Sequence, residues 1–340
     1  MADPTAPDVA IVVRTKDRPQ TLRRALASIG GQTFANWEAI IVNDGGEAAP
    51  VEELLAELDE TVRSRIVHRR HPVSVGRWAS ANAGIAHTAA PLIVLHDDDD
   101  TWHPDFLTAT VEHLRAHPDE IGVAARIEVI IEQERDGAFE ESHRYLLEAH
   151  NDEILLTDLL EFNRFVPIGF LYRRALHESI GLYDQSLPAA GDWAFNLAAV
   201  ATRRIRYVSD APLAFWHQRP ETPGVLGNSV HVATDDHRFA DRRFRDDALR
   251  AYVRQAGLGL PLYLSATTTD LVRRLETLTE AVARLERLAA SQQQRSAQLQ
   301  EQNDAVLHQL SRTADARVRG WLARQKQRLR RRRSDPGHLR

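Results

Sequence analysis

The stretch Pro91 to Phe106, PLIVLHDDDDTWHPDF, limits the fold more than any other part of the chain. A largely apolar run, Pro91 and then Leu92 to Leu95, leads through His96 into four consecutive aspartates, Asp97 to Asp100. Pro104 then offers a favoured first helical position. The pattern reads as buried strand, acidic turn, helix. Adjacent carboxylates repel and raise one another's pKa, so a strand delivering four of them to its end is costly unless a cation lies nearby. Oxygen donors without cysteine suit Mg2+ or Mn2+, and Mg2+ is usually held by one or two carboxylates plus substrate phosphates. A second reading stays open on the residues alone, a solvated acidic turn that caps the next helix.

Strands and helices alternate ahead of that turn. Val9 to Val13 is a continuous apolar strand ending at Arg14-Thr15-Lys16-Asp17-Arg18-Pro19, after which Leu22, Ala25, Leu26 and Ile29 recur at helical spacing. Glu38 to Val42 is a second strand closed by Asn43-Asp44-Gly45-Gly46, whose glycines permit a sharp turn near a ligand. A helix over Val51 to Leu58, a strand over Arg65 to Arg69 and a helix over Gly76 to His87 lead back to the central strand. Such βαβ units imply a mostly parallel sheet with its ligands at the strands' C-terminal edge. Thr15, Asp44 and Asp97 to Asp100 all fall there.

Beyond the acidic turn, Val123 to Ile131 and Gly169 to Tyr172 read as strands and Asp152 to Phe162 as a helix. Gly191-Asp192-Trp193 opens an apolar helix. Arg204 to Val208 and Leu213 to Trp216 read as short strands, and Gln218 to Ser229 is turn-rich, either a lid or an ordinary surface loop. After about Leu264 the pattern changes. Leu271, Leu275, Leu278, Val282, Leu285, Ala289, Leu299, Val306 and Leu310 keep the spacing of a heptad seam, interrupted by Gln292, Ser296 and Asn303. The seam predicts a coiled coil between copies of the chain, the alternative being a helix folded back on its own globular part. From Arg317 to Arg340 the chain is basic, with Val318, Trp321, Leu322 and Leu329 interleaved. Anionic lipid headgroups would attract such a segment, a frayed solvated tail is the plainer reading, and no nucleic-acid motif accompanies the charge.

At 340 residues with 43% hydrophobic content, the chain can fill a real core and exceeds one compact domain. No apolar run is long enough to span a bilayer and the N-terminus lacks a secretory pattern, so a cytoplasmic protein is expected, in peripheral contact with the inner face of the membrane through the basic tail. The absence of cysteine excludes disulfides, thiol catalysis and thiolate zinc sites. Lysine occurs only at Lys16 and Lys326, a bias over the whole chain that says nothing about phosphate recognition.

VAIVVRTKDRP, QTFANWEAIIVNDGG, RWASANAGIAHTAAPLIVLHDDDDTWHPDF and IGLYDQSLPAAGDWAFNLA, in that order, resemble the family 2 glycosyltransferases of GT-A fold over about residues 8 to 230. The resemblance implies a Rossmann-like, mostly parallel mixed sheet flanked by helices over 1–262; nothing after Leu264 belongs to it, and the heptad seam and the charge run set a coiled-coil helix at 263–312 and a basic tail at 313–340. It implies a metal-dependent inverting transfer of a sugar from a nucleotide diphosphate, UDP-linked by preference, to a hydroxyl acceptor in polysaccharide or glycoconjugate synthesis. Thr15, Asp44 and Arg77 match positions that hold the nucleotide. Asp97 and Asp99 match the ends of the DxD motif, with Mn2+ or Mg2+ on Asp99 and Asp97. Asp192 matches the catalytic base, which as a lone residue would read as a helix cap, and His217, with Asn228 and Ser229, matches a less constant position by the diphosphate or metal. Asn43 replaces a common aspartate, Gly191 the acidic residue before the base, and Lys16-Asp17 a common Tyr-Asn. Two rivals stand beside this reading: a nucleotide-binding coiled-coil scaffold without turnover, and a sugar nucleotidyltransferase.

Overall fold

The computed structural model describes residues 6–135, 138–149, 151, 153–187, 189–220 and 234–333, with backbone alone at 234–238 and 329–333. Asn228, Ser229, most of the turn-rich segment and the end of the basic tail lie outside the described residues. The chain divides into two compact units, Met1–Ala251 and Tyr252–Arg340.

In the first unit, β1 (Val9–Thr15), β2 (Trp37–Asp44), β3 (Ile66–His71) and β4 (Leu92–Asp97) pair in parallel in the order β3-β2-β1-β4. The apolar runs of β1, β2 and β4 are buried almost without break because helices cover both faces. Between the strands run α1 (Pro19–Gly30), α2 (Ala49–Ala56), the single turn α3 (Glu60–Arg63) and α4 (Arg77–Ala86). α1 sets Leu22, Ala25, Leu26 and Ile29 into the core, as the helical spacing requires. Since β1 lies between β2 and β4, the connections leave it in opposite directions and open a crevice at the strands' C-terminal ends.

The two-residue β5 (Thr101–Trp102) and α5 (Phe106–Ala116) follow the acidic turn. Pro104 lies ahead of this helix rather than at its first position, and its carbonyl accepts the Thr33 N–H at 2.9 Å. β6 (Gly122–Arg135) and β7 (Ala138–Leu146) form an antiparallel hairpin. The helix expected over Asp152 to Phe162 is confined to α6 (Leu156–Leu159); Asp152 lies outside the described residues, and Ile154 instead bridges to Ile205. β8 (Phe170–Arg173), α7 (Leu176–Ile180) and α8 (Gly191–Thr202) come next. The two short strands expected around Pro212 are one strand, β9 (Tyr207–Gln218), which follows β6 through two register shifts. The sheet continues β4-β8-β6-β9-β5, with β8 antiparallel to β4 and β6, and β9 parallel to β6. Helix α9 (Thr234–Ala256) follows; the sequence reading placed no element there.

The second unit is dominated by one helix of 75 residues, Gly259–Arg333. Its seam residues Leu271, Leu275, Leu278, Val282, Leu285, Leu299, Val306 and Leu310 are all exposed. Among the described residues no helix is long and apolar enough to cross a membrane.

Candidate active site

The ends of β1 and β4 bring the first charges together. Arg14 and Asp97 are register partners on adjacent strands, so their side chains leave the same face and meet in an ion pair. Lost hydration works to raise the Asp97 carboxyl, but Arg14 and Arg77 hold it below the ordinary carboxylate range. One residue on, the Thr15 hydroxyl donates to Asp98 at 2.7 Å. Arg18 reaches Asp98 and Asp99 at 3.4 and 3.5 Å. Burial, with Asp99 alongside, pushes Asp98 up to about 7. Asp100, buried beside Asp99 and Asp97, is also pushed up and accepts the His217 backbone N–H at 3.0 Å.

Below the turn lies a charge network that the sequence did not reveal. Arg219, with no exposed surface, pairs with Asp99 and, at 2.6 Å, with Glu132 on β6. Glu132 also accepts both terminal nitrogens of Arg24 at 2.8 to 3.0 Å, and Arg24 donates to the Asp99 carbonyl at 2.6 Å. Burial alone would raise Glu132, yet His217 and the arginines bring it down to about 2. Phe139 on β7 lies against both guanidinium groups.

Asp44 ends β2 and anchors the loop into α4. It accepts Ser74 Oγ at 2.8 Å and the N–H groups of Val75 at 2.8 Å and Gly76 at 3.1 Å. Those bonds, with Ser80 contributing as well, outweigh burial and lower its pKa. The chain can turn there because Gly45 has φ +76, and a Cβ on it would collide with the Ser74 backbone.

Asp192 is the second residue of α8 and half-buried. Asn163 donates to it at 2.9 Å, and Asn196 fixes Asn163 by a 3.0 Å bond to its side-chain oxygen. Burial pushes its carboxyl up, with the Trp193 N–H and the Arg77 charge opposing. Just before it, Ala190 takes a left-handed conformation, φ 62, a local strain of about 1 to 2 kcal/mol for a residue with a Cβ. The missing acidic residue at 191 has a steric reason. A Cβ on Gly191 would lie 2.6 Å from the Trp78 indole, which stacks on Tyr183 and lies under Arg14.

Thr15, Asp44, Arg77, Asp97, Asp99 and Asp192 all line one cavity of about 880 Å³, together with Arg14, Arg18, Trp78 and Asn163. His217 does not line it. Its Nδ1 faces Glu132 at 3.0 Å and its Nε2 faces Thr101 Oγ1 at 2.9 Å, so both ring nitrogens have hydrogen-bond partners in the network under the turn. His96 is buried against Trp102, with burial lowering its pKa to about 4. Arg14 and Arg18 were visible in the sequence as the cationic end of β1. Nothing in it signalled the pairing of Arg24, Glu132 and Arg219.

The sequence profile of Glycosyl transferase family 2 matches residues 10–181. The uncharacterized glycosyltransferase YwdF of Bacillus subtilis (strain 168) is 32% identical over 208 residues, 61% of this chain and 73% of that protein. The succinoglycan biosynthesis protein ExoW of Rhizobium meliloti (strain 1021) is 34% identical over 91 residues, 26% of this chain and 28% of its own length. In fold, the chain is similar to the mannosyltransferase PcManGT from Pyrobaculum calidifontis, solved in complex with GDP-Man and Mn2+. The TM-score is 0.51 at 16% identity, over 78% of this chain and 76% of that one.

Proposed function

The chain belongs to glycosyl transferase family 2, and from that membership we propose that it moves a sugar from a nucleotide-diphosphate donor, preferentially a UDP-sugar, to a hydroxyl acceptor with inversion at the anomeric carbon. The observation that carries the proposal is the shared cavity. Asp97 and Asp99 on the turn after β4 face the same space as Asp192 at the start of α8 and the nucleotide-side residues Thr15, Asp44 and Arg77.

The donor set suits a hard divalent cation, because the turn presents carboxylate oxygens only. Asp99 and Asp97 would hold Mn2+ or Mg2+, whose contribution when bound is Lewis-acid stabilisation of the departing diphosphate. A protein of like fold holds GDP-Man and Mn2+. The chain's own residues supply the rest. Asp44, held as a carboxylate, would accept a base N–H, Thr15 sits beside it at the end of β1, and Arg77 brings positive charge to the diphosphate side. Asp192, oriented by Asn163, takes the proton from the acceptor hydroxyl, an effect worth roughly 10² to 10⁴ in rate. Its raised pKa makes it a stronger base than an exposed aspartate. Attack from the Asp192 side, opposite the leaving group, inverts the anomeric centre.

Surface polysaccharide or glycoconjugate acceptors fit this reading, with copies of the chain joined through the exposed heptad seam of the terminal helix. Calorimetry with UDP and Mn2+, run beside a screen of nucleotide sugars that detects released nucleoside diphosphate, tests it. Metal-dependent binding that Asp99→Ala abolishes, with release of nucleoside diphosphate, is expected. Binding without turnover on any donor would favour the scaffold, and pyrophosphate release would favour a nucleotidyltransferase.

A further inference from the structure

We propose a second divalent-metal site, suited to Zn2+, formed by His113, His117 and Glu120 where α5 turns into β6. The ligand-capable atoms of these residues all lie within 4.8 Å of one another. His113 and His117 are one helical turn apart, so both rings project from one face, and they stack at 4.3 Å between centroids. Glu120 returns from the turn to place its Oε2 2.7 Å from His113 Nε2. Ligand atoms each about 2.0 to 2.2 Å from a tetrahedral zinc ion stand roughly 3.4 Å from one another, so His113 and Glu120 need to open only slightly from their hydrogen bond to admit the ion. Two imidazoles and a carboxylate match zinc chemistry and leave a fourth position for water.

The surroundings prepare this site. His117 Nδ1 lies 2.8 Å from the His113 carbonyl, an oxygen that can only accept. Nδ1 therefore carries the proton and Nε2 presents its lone pair, the arrangement that zinc-bound histidines show. Arg173 fixes the backbone of the turn by donating to the carbonyls of Leu114 at 2.6 Å and Glu120 at 2.8 Å. Of the nearby cations, Arg115 is drawn to Asp8 at 2.8 Å and Arg173 to those carbonyls, while the largely exposed Arg206 stays 3.7 Å from the Glu120 oxygen that faces away from His113. The site lies at the far end of α5 from the acidic turn, about 15 Å of helix away. A bound ion there would brace the end of α5 against the start of β6, independently of sugar transfer.

The test is a Zn2+ titration of the untagged full-length chain carrying Asp97→Asn and Asp99→Asn, which takes both proposed metal ligands out of the acidic turn. One zinc per chain is expected, with a rise in melting temperature. Adding His117→Ala should weaken binding by about tenfold or more and abolish the rise. His117 is exposed, so this change leaves the metal-free fold intact; Glu120→Gln should do the same from the other side. Absence of saturable binding, or binding unchanged by both His117→Ala and Glu120→Gln, would overturn the proposal. So would zinc that binds the wild-type chain and is lost when Asp97→Asn and Asp99→Asn are made, which would place the ion at the acidic turn.

Discussion

Asp192 sits where burial pushes its carboxyl above the ordinary range while the Trp193 N–H and Arg77 pull it back. A base must be ionised to work, so transfer should fall as pH drops through this raised value, earlier on the acid side than an exposed aspartate would allow. The same shift has the opposite sense for stability. A group with a raised folded pKa contributes stability that is complete below its unfolded pKa and is lost as pH rises through the folded one. Asp192→Asn is therefore expected to lower turnover by about 10² to 10⁴ while leaving donor affinity close to wild type and slightly raising the melting temperature at neutral pH. Wild-type turnover would remove Asp192 from the base role. Glu132 tests the network beneath. Replacing it with Gln leaves buried Arg219 and Arg24 partly uncompensated, and a loss of about 3 kcal/mol at pH 7 is expected from urea unfolding. Because Glu132 is depressed to about 2, its contribution is present above the ordinary glutamate pKa and fades as pH falls through about 2. The penalty should shrink in acid. Asp97 and Asp99 were legible because a strand end marks them, and Asp192 only through the family resemblance, since a helix start by itself marks a cap. Glu132 and Arg219 were not, since 87 residues separate them and their pairing depends on β6 and β9 lying side by side.

At the scale of elements, β1, β2 and β4 were readable because each is an unbroken apolar run between polar turns, the signature of strands buried on both faces. β7 escaped because it is exposed along most of its length, so EESHRY carries no alternation. α9 escaped for a related reason: TDDHRFADRRFRDDALRAYVRQA is charged nearly all round and shows no core-facing stripe. Pro212 suggested a break that β9 avoids by shifting register along β6. The terminal helix is the reverse case, a clear stripe with no covering in its own unit. Leu275, Leu278, Val282 and Leu285 are 53 to 65% exposed, and burying one leucine fully is worth about 1.5 to 3 kcal/mol. A partner helix is the economical cover. Light scattering should give an oligomer for the full chain and a monomer for a chain ending at Leu264, and Leu278→Lys should weaken assembly by about tenfold or more. A full-length monomer would refute the coil.

Taken whole, the chain carries a net charge of -5, yet Arg317 to Arg340 is strongly basic, so the remainder is more acidic than the total indicates. An anionic bilayer would repel that remainder and attract the tail, and the screening length of about 8 Å at physiological salt decides between them. Only charges close to the surface act, which favours a basic segment at one end over acidic groups spread through the rest. Each basic side chain near such a surface contributes about 1 kcal/mol, and Val318, Trp321 and Leu322, all exposed, add apolar contact. Vesicle sedimentation should therefore show binding to phosphatidylserine-rich membranes and none to neutral ones. Binding should weaken steeply as salt rises and vanish in a chain ending at Ala316. If neutral vesicles bind equally well, the apolar residues dominate and the electrostatic account fails; if neither kind binds, the tail is solvated and the membrane reading falls with it.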